Sequence, residues 1–144
     1  MSLQDKLFNH RNEKLNEEKE AGAKFLAENA KKEGVKELEN GIQYEVLKEG
    51  NGPKPELRNK IKAHYAGRLL SGKEFDSSYK RNQPFTAGIT QLIKGWQIAL
   101  PQMPVGSKWR LWIPSDYAYG DRGTGGIPGG AVLDFEIELL EIVG

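Results

Sequence analysis

The chain has 144 residues, of which 38% are hydrophobic and 28% charged, a balance typical of one soluble domain with an appendage. Its 21 basic and 20 acidic residues leave a net charge of +1, which argues against a nucleic-acid-binding or membrane-surface protein. Cysteine is absent, which excludes disulfides and thiolate metal sites, and no apolar run is long enough to span a membrane.

Residues 1–38 are predicted to form a charged helical arm and a linker. From residue 2 to residue 33 the chain has no proline and is rich in good helix formers, which predicts one helix with Gly34 as its C-cap. The apolar residues form only a narrow stripe, at Phe8, Leu15, Gly22 and Leu26. Such a helix either packs against its own domain or pairs with another chain. We favour a homodimer formed through this helix over a partly frayed appendage.

Residues 39–144 change to a pattern of short strands and turns, and are predicted to form the second domain. Alternating apolar and polar residues predict strands at 42–48, 61–68, 108–113 and 133–139. One short helical segment, residues 93–100, interrupts them. The pattern predicts an α+β fold in which an antiparallel β-sheet wraps over one short α-helix, preceded by the long N-terminal α-helix.

The sequence offers almost no residues for conventional catalysis. His10 and His64 are 54 positions apart, which makes a zinc site improbable, and a lone histidine such as His64 is usually solvent-facing or hydrogen-bonded. The glycine-rich segment 123–130 lacks the Lys-Ser/Thr pair of a phosphate-binding loop and precedes a strand rather than a helix. We therefore predict neither a metal nor a cofactor.

A connected set of motifs runs through the second domain. In chain order these are His64-Tyr65-Ala66-Gly67, Phe75-Asp76-Ser77-Ser78, Leu92-Ile93-Lys94-Gly95-Trp96, Tyr117-Ala118-Tyr119-Gly120 and Phe135-Glu136-Ile137-Glu138-Leu139-Leu140. In this order and spacing, the chain from about residue 40 to residue 143 resembles the FKBP domain, the prolyl isomerase family that binds tacrolimus and rapamycin. Residues 25–35 resemble the linker helix of bacterial two-part FKBPs of the macrophage infectivity potentiator group, whose N-terminal helical region is truncated here.

The resemblance implies a strongly curved sheet with an apolar cavity between sheet and helix. It implies catalytic roles for Tyr65, Asp76 and Tyr119, with Asp76 at a buried polar position and the Tyr119 hydroxyl donating to a ligand carbonyl. The substrate-binding residues that it implies are Phe75, Phe85, Leu92, Ile93, Trp96 and Phe135. Trp96 would form the floor of the cavity, and the Ile93 N–H would be a second donor. Periodicity alone would make the aromatic residues plain core and Asp76 a turn residue, so the joint spacing carries the assignment.

The implied function is peptidyl-prolyl cis/trans isomerisation in peptides and folding proteins, with macrolides such as tacrolimus or rapamycin as inhibitors. One alternative is a non-catalytic module that binds proline segments or macrolides. Another is a chaperone whose arm holds unfolded chains. Ala87 replaces a usual aromatic residue and the loop 127–130 is short, which affects substrate preference and macrolide affinity. The implied location is the cytoplasm or, if a signal segment was removed, the bacterial cell envelope or periplasm.

Overall fold

The computed structural model describes residues 2–144, apart from the side chains of Phe8 and Arg11. In this part of the chain a long helix comes first and a short helix lies among seven strands. The helices are α1 (Leu3–Asn29) and α2 (Lys94–Ala99). The strands are β1 (Lys36–Glu37), β2 (Gln43–Lys48), β3 (Lys60–Leu69), β4 (Glu74–Ser77), β5 (Phe85–Gly88), β6 (Lys108–Ile113) and β7 (Leu133–Ile142).

The seven strands form one antiparallel sheet in the order β1-β2-β6-β7-β3-β4, and β5 also pairs with β3. The ten-residue strands β3 and β7 lie at its centre, with His64 opposite Glu138 and Gly67 opposite Phe135. The α+β fold predicted from the sequence is therefore confirmed. Strands β1, β4 and β5 were not predicted from the sequence, because strands of two to four residues are too short to show a period.

The core lies between the inner face of the sheet and α2. On β7 the apolar residues Leu133, Phe135 and Ile137 are at most 3% exposed, and Asp134 between them is also buried, at 7%. The six-residue helix α2 approaches the sheet closely at Gly95, where a Cβ atom would lie 2.5 Å from Ile113 Cγ2. Glycine at this position lets the backbone of α2 lie against β6, which sets the depth of the space left between helix and sheet.

The arm helix begins as a capped helix and ends earlier than predicted. Asp5 N–H donates to Ser2 Oγ and Ser2 N–H donates to Asp5 Oδ2, a reciprocal capping box. The helix ends at Asn29, and residues 30–34 form tight turns, so the expectation of a helix to residue 33 with Gly34 as its cap is wrong. Asn29 is buried and its Nδ2 donates to Gln43 Oε1 at 2.8 Å, which holds the end of the helix against β2. Gly34, with φ of 87°, closes the turn that follows.

The C-terminal half of α1 packs against its own domain. Leu15 is half-buried, and Gly22 and Asn29 are buried at intervals of seven residues, so the narrow stripe faces the sheet of the same chain. Leu15 and Leu26 are half-buried within the chain, so this part of the stripe contacts the chain's own domain, and the homodimer stays a prediction. The Phe8 side chain lies outside the described residues. Leu3 and Leu7 are 73% and 52% exposed. No helix of residues 2–144 has the length and apolarity needed to cross a membrane.

Candidate active site

One cavity of about 240 Å³ opens between α2 and the concave face of the sheet. All nine residues predicted from the sequence line this cavity. They are Tyr65, Phe75, Asp76, Phe85, Leu92, Ile93, Trp96, Tyr119 and Phe135. The lining therefore consists largely of aromatic and aliphatic side chains, with the Asp76 carboxyl and the hydroxyls of Tyr65 and Tyr119 as its polar groups.

Aromatic rings in edge-to-face contact form the inner surface of the cavity. Trp96 and Phe135 are 5% and 3% exposed, and their ring centroids lie 5.2 Å apart at an interplanar angle of 84°. Tyr65 meets the Trp96 ring at 5.3 Å, and Phe85 meets it at 5.5 Å. Trp96 thus contacts three neighbouring rings, a geometry that aromatic pairs favour and that fixes each ring in place. The Trp96 Nε1–H is buried and has no hydrogen-bond partner in the described part of the chain.

The sheet presents these side chains because of where the strands run. Tyr65 is on β3, Asp76 and Phe75 are on β4, and Phe135 is on β7. A close approach at Gly67 brings two of the rings together, since a Cβ atom there would lie 2.6 Å from both Phe75 Cζ and Phe135 Cε1. A side chain at position 67 would therefore displace both rings from the wall of the cavity.

The polar edge of the cavity is a network of Tyr65, Asp76 and Arg81. The Tyr65 hydroxyl donates to Asp76 Oδ2, and Arg81 Nη1 donates to Asp76 Oδ1. Arg81 Nη2 donates to the Tyr65 hydroxyl at 3.0 Å, and the guanidinium lies 5.7 Å from the centre of the Tyr65 ring. Arg81 was not predicted from the sequence, because a single arginine in a polar turn carries no pattern that distinguishes it from other surface cations.

The network shifts the pKa values of its members in opposite directions. Partial burial alone would raise the pKa of Asp76, but the hydrogen bonds from Tyr65 and Arg81 and the Arg81 charge outweigh it and lower the pKa. Burial, together with the hydrogen bond to Asp76, raises the pKa of Tyr65. Asp76 is therefore a carboxylate and Tyr65 a neutral phenol at pH 7. The Asp76 side chain is 40% exposed, so the expectation of a buried position is wrong. Its contacts with Arg81 hold it at the rim.

Tyr119 and Ile93, the residues expected to supply two hydrogen-bond donors, line the cavity from its other sides. Tyr119 lies in the loop between β6 and β7 and is 38% exposed, so its hydroxyl is accessible at the cavity edge. Ile93 is the N-cap residue of α2, with an extended backbone (φ −59°, ψ 153°). Within residues 2–144 no backbone hydrogen bond uses the Ile93 N–H, as expected for the first N–H groups of a helix.

Behind the wall, Ser78 fixes the backbone of β3 next to Tyr65. The Ser78 side chain is fully buried, and its Oγ accepts from Tyr65 N–H at 2.7 Å. His64 Nδ1 lies 2.8 Å from the same oxygen, and the imidazole stacks on Tyr79 with ring centroids 4.6 Å apart. His64 is thus hydrogen-bonded on the outer side of β3 rather than directed into the cavity.

Comparison with protein-family models identifies both regions of the chain. The model for the FKBP-type peptidyl-prolyl cis-trans isomerase matches residues 52–140, more than half of the chain. The chain belongs to the FKBP family. The model for the domain amino-terminal to FKBP-type isomerases matches residues 1–46. This FKBP therefore has the two-part organisation that the sequence resemblance indicated, and that prediction is confirmed.

Individual relatives of this FKBP agree with the family assignment. The FKBP-type isomerase FkpA of Aeromonas hydrophila is 49% identical over 126 residues, covering 88% of this chain and 47% of that protein. The isomerase Mip of Coxiella burnetii is 44% identical over 119 residues, covering 82% of this chain and 52% of that protein. The chain thus spans about half the length of these curated relatives.

A solved structure extends the agreement to the fold of this FKBP. The crystal structure of a peptidyl-prolyl cis-trans isomerase from Pseudomonas syringae pv. tomato superposes with a TM-score of 0.84 and 43% sequence identity. The match covers 90% of this chain and 96% of that one. The fold of this FKBP is therefore shared with that isomerase over most of both chains.

Proposed function

We propose that this chain is a peptidyl-prolyl cis/trans isomerase that accelerates rotation about X-Pro bonds in peptides and in folding proteins. One observation carries the proposal. Nine residues that the family resemblance selected from the sequence line a single cavity of about 240 Å³, with rings on its inner surface and polar groups at its rim. The family match over residues 52–140 supports the same conclusion independently of the geometry.

An apolar cavity can catalyse this reaction without a nucleophile. The barrier to X-Pro rotation is about 18–20 kcal/mol because resonance gives the C–N bond partial double-bond character. The planar amide is charge-separated, and twisting removes the resonance and makes the oxygen less polar. Transfer from water to a ring-lined cavity therefore destabilises the planar state more than the twisted one. A gain of about 5–7 kcal/mol would accelerate the reaction roughly 10⁴- to 10⁵-fold.

The donors and the polar network are assigned complementary roles. The Ile93 N–H and the Tyr119 hydroxyl bind the carbonyls that flank the reacting bond, and so hold the substrate across the cavity. Tyr65, Asp76 and Arg81 place a fixed carboxylate at the rim, next to the amide that twists. Phe75, Phe85 and Trp96 contact the proline ring, and Leu92 and Phe135 complete the apolar lining.

The test is an exchange assay on short peptides that differ in the residue before proline. We expect micromolar protein to accelerate cis/trans exchange, with faster turnover when that residue is apolar, because the cavity is lined with rings. The protein with Glu141→Gln, an exposed position on β7, is the matched control and should retain full activity. Equal exchange rates with and without correctly folded protein would contradict the proposal.

A binding module without turnover is the second candidate, since the same cavity would accommodate a proline ring or a macrolide. Rapamycin or tacrolimus should compete with the peptide and change the fluorescence of Trp96, which lies at the base of the cavity. Binding of peptide and macrolide without any acceleration of exchange would favour the module over the enzyme. Ala87 lies on β5 opposite Ile61. Comparing the macrolide affinity of Ala87→Phe with that of the wild type would measure the effect of this residue.

We further propose that residues 1–38 form an arm and residues 39–144 the isomerase domain, and that the arm serves dimerisation or capture of unfolded proteins. The exposed Leu3 and Leu7 near the start of α1 support this role, because exposed apolar side chains are available for contact with another chain. Sedimentation of the whole chain over a range of concentrations tests the dimer, and a monomer at every concentration would contradict it.

A further inference from the structure

The loop that carries Tyr119 is a closed unit. We define the Tyr119 loop as residues 119–130. Gly130 N–H donates to Gly120 O at 2.9 Å, and Gly123 N–H donates to Tyr119 O at 3.1 Å, so the two limbs of the loop are joined at their base. The limbs also touch, since a Cβ atom on Gly129 would lie 1.9 Å from Asp121 O. Displacement of either limb must therefore move Tyr119 as well.

Helix α1 lies against this unit, and none of its described residues lines the cavity. Lys19 Nζ forms an ion pair with Asp121 Oδ1 at 2.9 Å. A Cβ atom on Gly130 would lie 3.0 Å from Lys19 Cγ and 3.1 Å from Leu15 Cδ1, so both side chains rest on the loop backbone. Leu15 and Lys19 are four residues apart and share one face of the helix.

One turn further along, the contact continues to the chain that leaves the loop. Gly22 is buried, and a Cβ atom there would lie 2.7 Å from Val132 Cγ2. Beyond these contacts a groove of about 910 Å³ separates α1 from the loop, lined by Glu17, Glu18 and Arg122 among others. The described contacts between the helix and the loop are thus concentrated at Leu15, Lys19 and Gly22.

The loop needs a second attachment to fix its orientation. Within the loop, Ile127 is 6% exposed and belongs to the core, and Gly130 at the base is buried with Leu15 and Lys19 against it, whereas residues 124–126 are exposed. Without the contact at Gly130, Ile127 would be the one buried anchor, and the loop would be free to pivot about that point. The contact with α1 lies on the opposite limb at Asp121 and at the base at Gly130, and so restrains this pivoting.

We propose that Leu15, Lys19 and Gly22 of the arm are positioning residues of the cavity, which hold the Tyr119 loop so that the Tyr119 hydroxyl faces the substrate. This inference rests on the proposed isomerase function of the cavity. If the arm releases the loop, only a fraction of molecules has Tyr119 in place, and the apparent affinity falls by that fraction. KM therefore rises while kcat, measured on bound substrate, changes little.

The experiment compares paired variants of the whole chain. Gly22→Ala places a methyl group against Val132, and Gly22→Ala with Val132→Ala makes room for it again. Lys19→Glu places two carboxylates together, and Lys19→Glu with Asp121→Lys restores an ion pair of opposite polarity. Lys24→Glu, which changes an exposed charge on the same helix, is the control. Peptide kinetics and amide hydrogen exchange in residues 119–130 are measured for each variant.

We expect Gly22→Ala to raise KM roughly threefold to tenfold, as when the competent fraction falls to between a third and a tenth, and to speed amide exchange in the loop. Lys19→Glu should act in the same direction but more weakly, because the ion pair is solvent-exposed and screened by salt. The double variants should recover most of the wild-type KM, and Lys24→Glu should match wild type.

The inference would be overturned if both single variants kept the wild-type KM and the wild-type rate of amide hydrogen exchange in residues 119–130. So would a loss of thermal stability without any change in KM, which is the result expected of a purely structural contact. If Gly22→Ala fails to fold, the two Lys19→Glu variants test the proposal by themselves, because the side chains of Lys19 and Asp121 are on the surface. An inactive wild-type protein would refute the proposed function, and loop exchange in the variants would still show whether the arm holds the loop.

Discussion

At Asp76, burial and hydrogen bonding act in opposite directions on one carboxyl group. Burial favours the neutral acid, whereas Tyr65 and Arg81 donate to the carboxylate and favour the ion. The second effect prevails, so the group is ionised well into the acid range. A carboxylate held at the rim of an apolar cavity can orient the amide dipole of the substrate, which changes as the X-Pro bond rotates.

Removal of this carboxylate or of the Tyr119 hydroxyl is expected to impair turnover without unfolding the domain. Asp76→Ala and Tyr119→Phe should each lower kcat/KM about fivefold or more, since a lost hydrogen bond of about 1 kcal/mol corresponds to that factor. Tyr79→Phe removes an exposed hydroxyl outside the cavity and serves as the control for the tyrosine. Unchanged kinetics in both variants would show that these groups take no part in catalysis.

The lowered pKa of Asp76 also predicts how stability responds to acid. The pKa of the folded state lies below the ordinary value of 3.8, so the contribution of this carboxylate is fully present above pH 3.8. It is lost as the pH falls through the folded pKa. The difference in unfolding free energy between wild type and Asp76→Asn should be constant from about pH 5 to 8 and shrink below about pH 4. It should not exceed about 1 kcal/mol, because the side chain is 40% exposed. A difference that grows in acid would contradict the assignment.

Among the elements, the junction of α1 and β2 depends on a buried pair of amides. Asn29 Nδ2 donates to Gln43 Oε1, and Gln43 Nε2 donates to Leu26 O, each at 2.8 Å. Leu26 O also accepts from Ala30 N–H at 3.0 Å, so Gln43 adds a second hydrogen bond to a carbonyl in the last turn of α1. The glutamine thus joins the end of the arm helix to the sheet through both of its side-chain atoms.

Loss of one member of this pair is expected to cost more than loss of an ordinary surface amide. Asn29→Ala leaves Gln43 Oε1 buried without a donor and should lower the unfolding free energy by about 1–3 kcal/mol in urea titrations. Asn16→Ala, at an exposed position of the same helix, should have a small or slightly stabilising effect, because alanine is the better helix former. Equal effects of the two substitutions would contradict a structural role for the amide pair.

On the scale of the whole molecule, α1 divides into a docked part and a projecting part. The helix is about 40 Å long at about 1.5 Å per residue. From Leu15 onward it contacts the domain, whereas the described side chains of residues 2–14 are exposed. The docked part lies next to the Tyr119 loop, and the projecting part presents Leu3 and Leu7 to the surroundings.

Removal of residues 1–14 should therefore separate two activities. We expect isomerisation of short peptides to stay within about twofold of wild type, because every residue of the cavity and of the contact with α1 is retained. Refolding of a protein limited by a prolyl bond should slow, because a two-armed dimer raises the effective concentration of its client around the cavity. Refolding catalysis that is undiminished in the shortened chain would contradict a role for the projecting part.

The sequence by itself determined the fold class and the residues of the cavity. Alternation along β3, β6 and β7 reflects one buried face per strand, a local property that a single sequence displays. The spacing of the motifs selected the nine lining residues, including Trp96 and Phe135, which periodicity alone would have left as core. The arrangement of these residues around one cavity follows from the order of the strands in the sheet. The motifs predict that order only because they resemble those of the FKBP family.

Only the tertiary structure decided what depends on contacts between distant segments. Arg81 joins Tyr65 and Asp76 because the turn after β4 places it beside them, and no local pattern marks that arginine. The helix ends at Asn29 rather than at Gly34 because Gln43, fourteen residues later, binds its last turn. The stripe at Leu15 and Gly22 has the same spacing whether the helix meets a second copy or its own domain. The contacts of Gly22 with Val132 and of Leu15 with Gly130 show that this part of the helix meets its own domain, which depends on three-dimensional fit that sequence spacing does not specify.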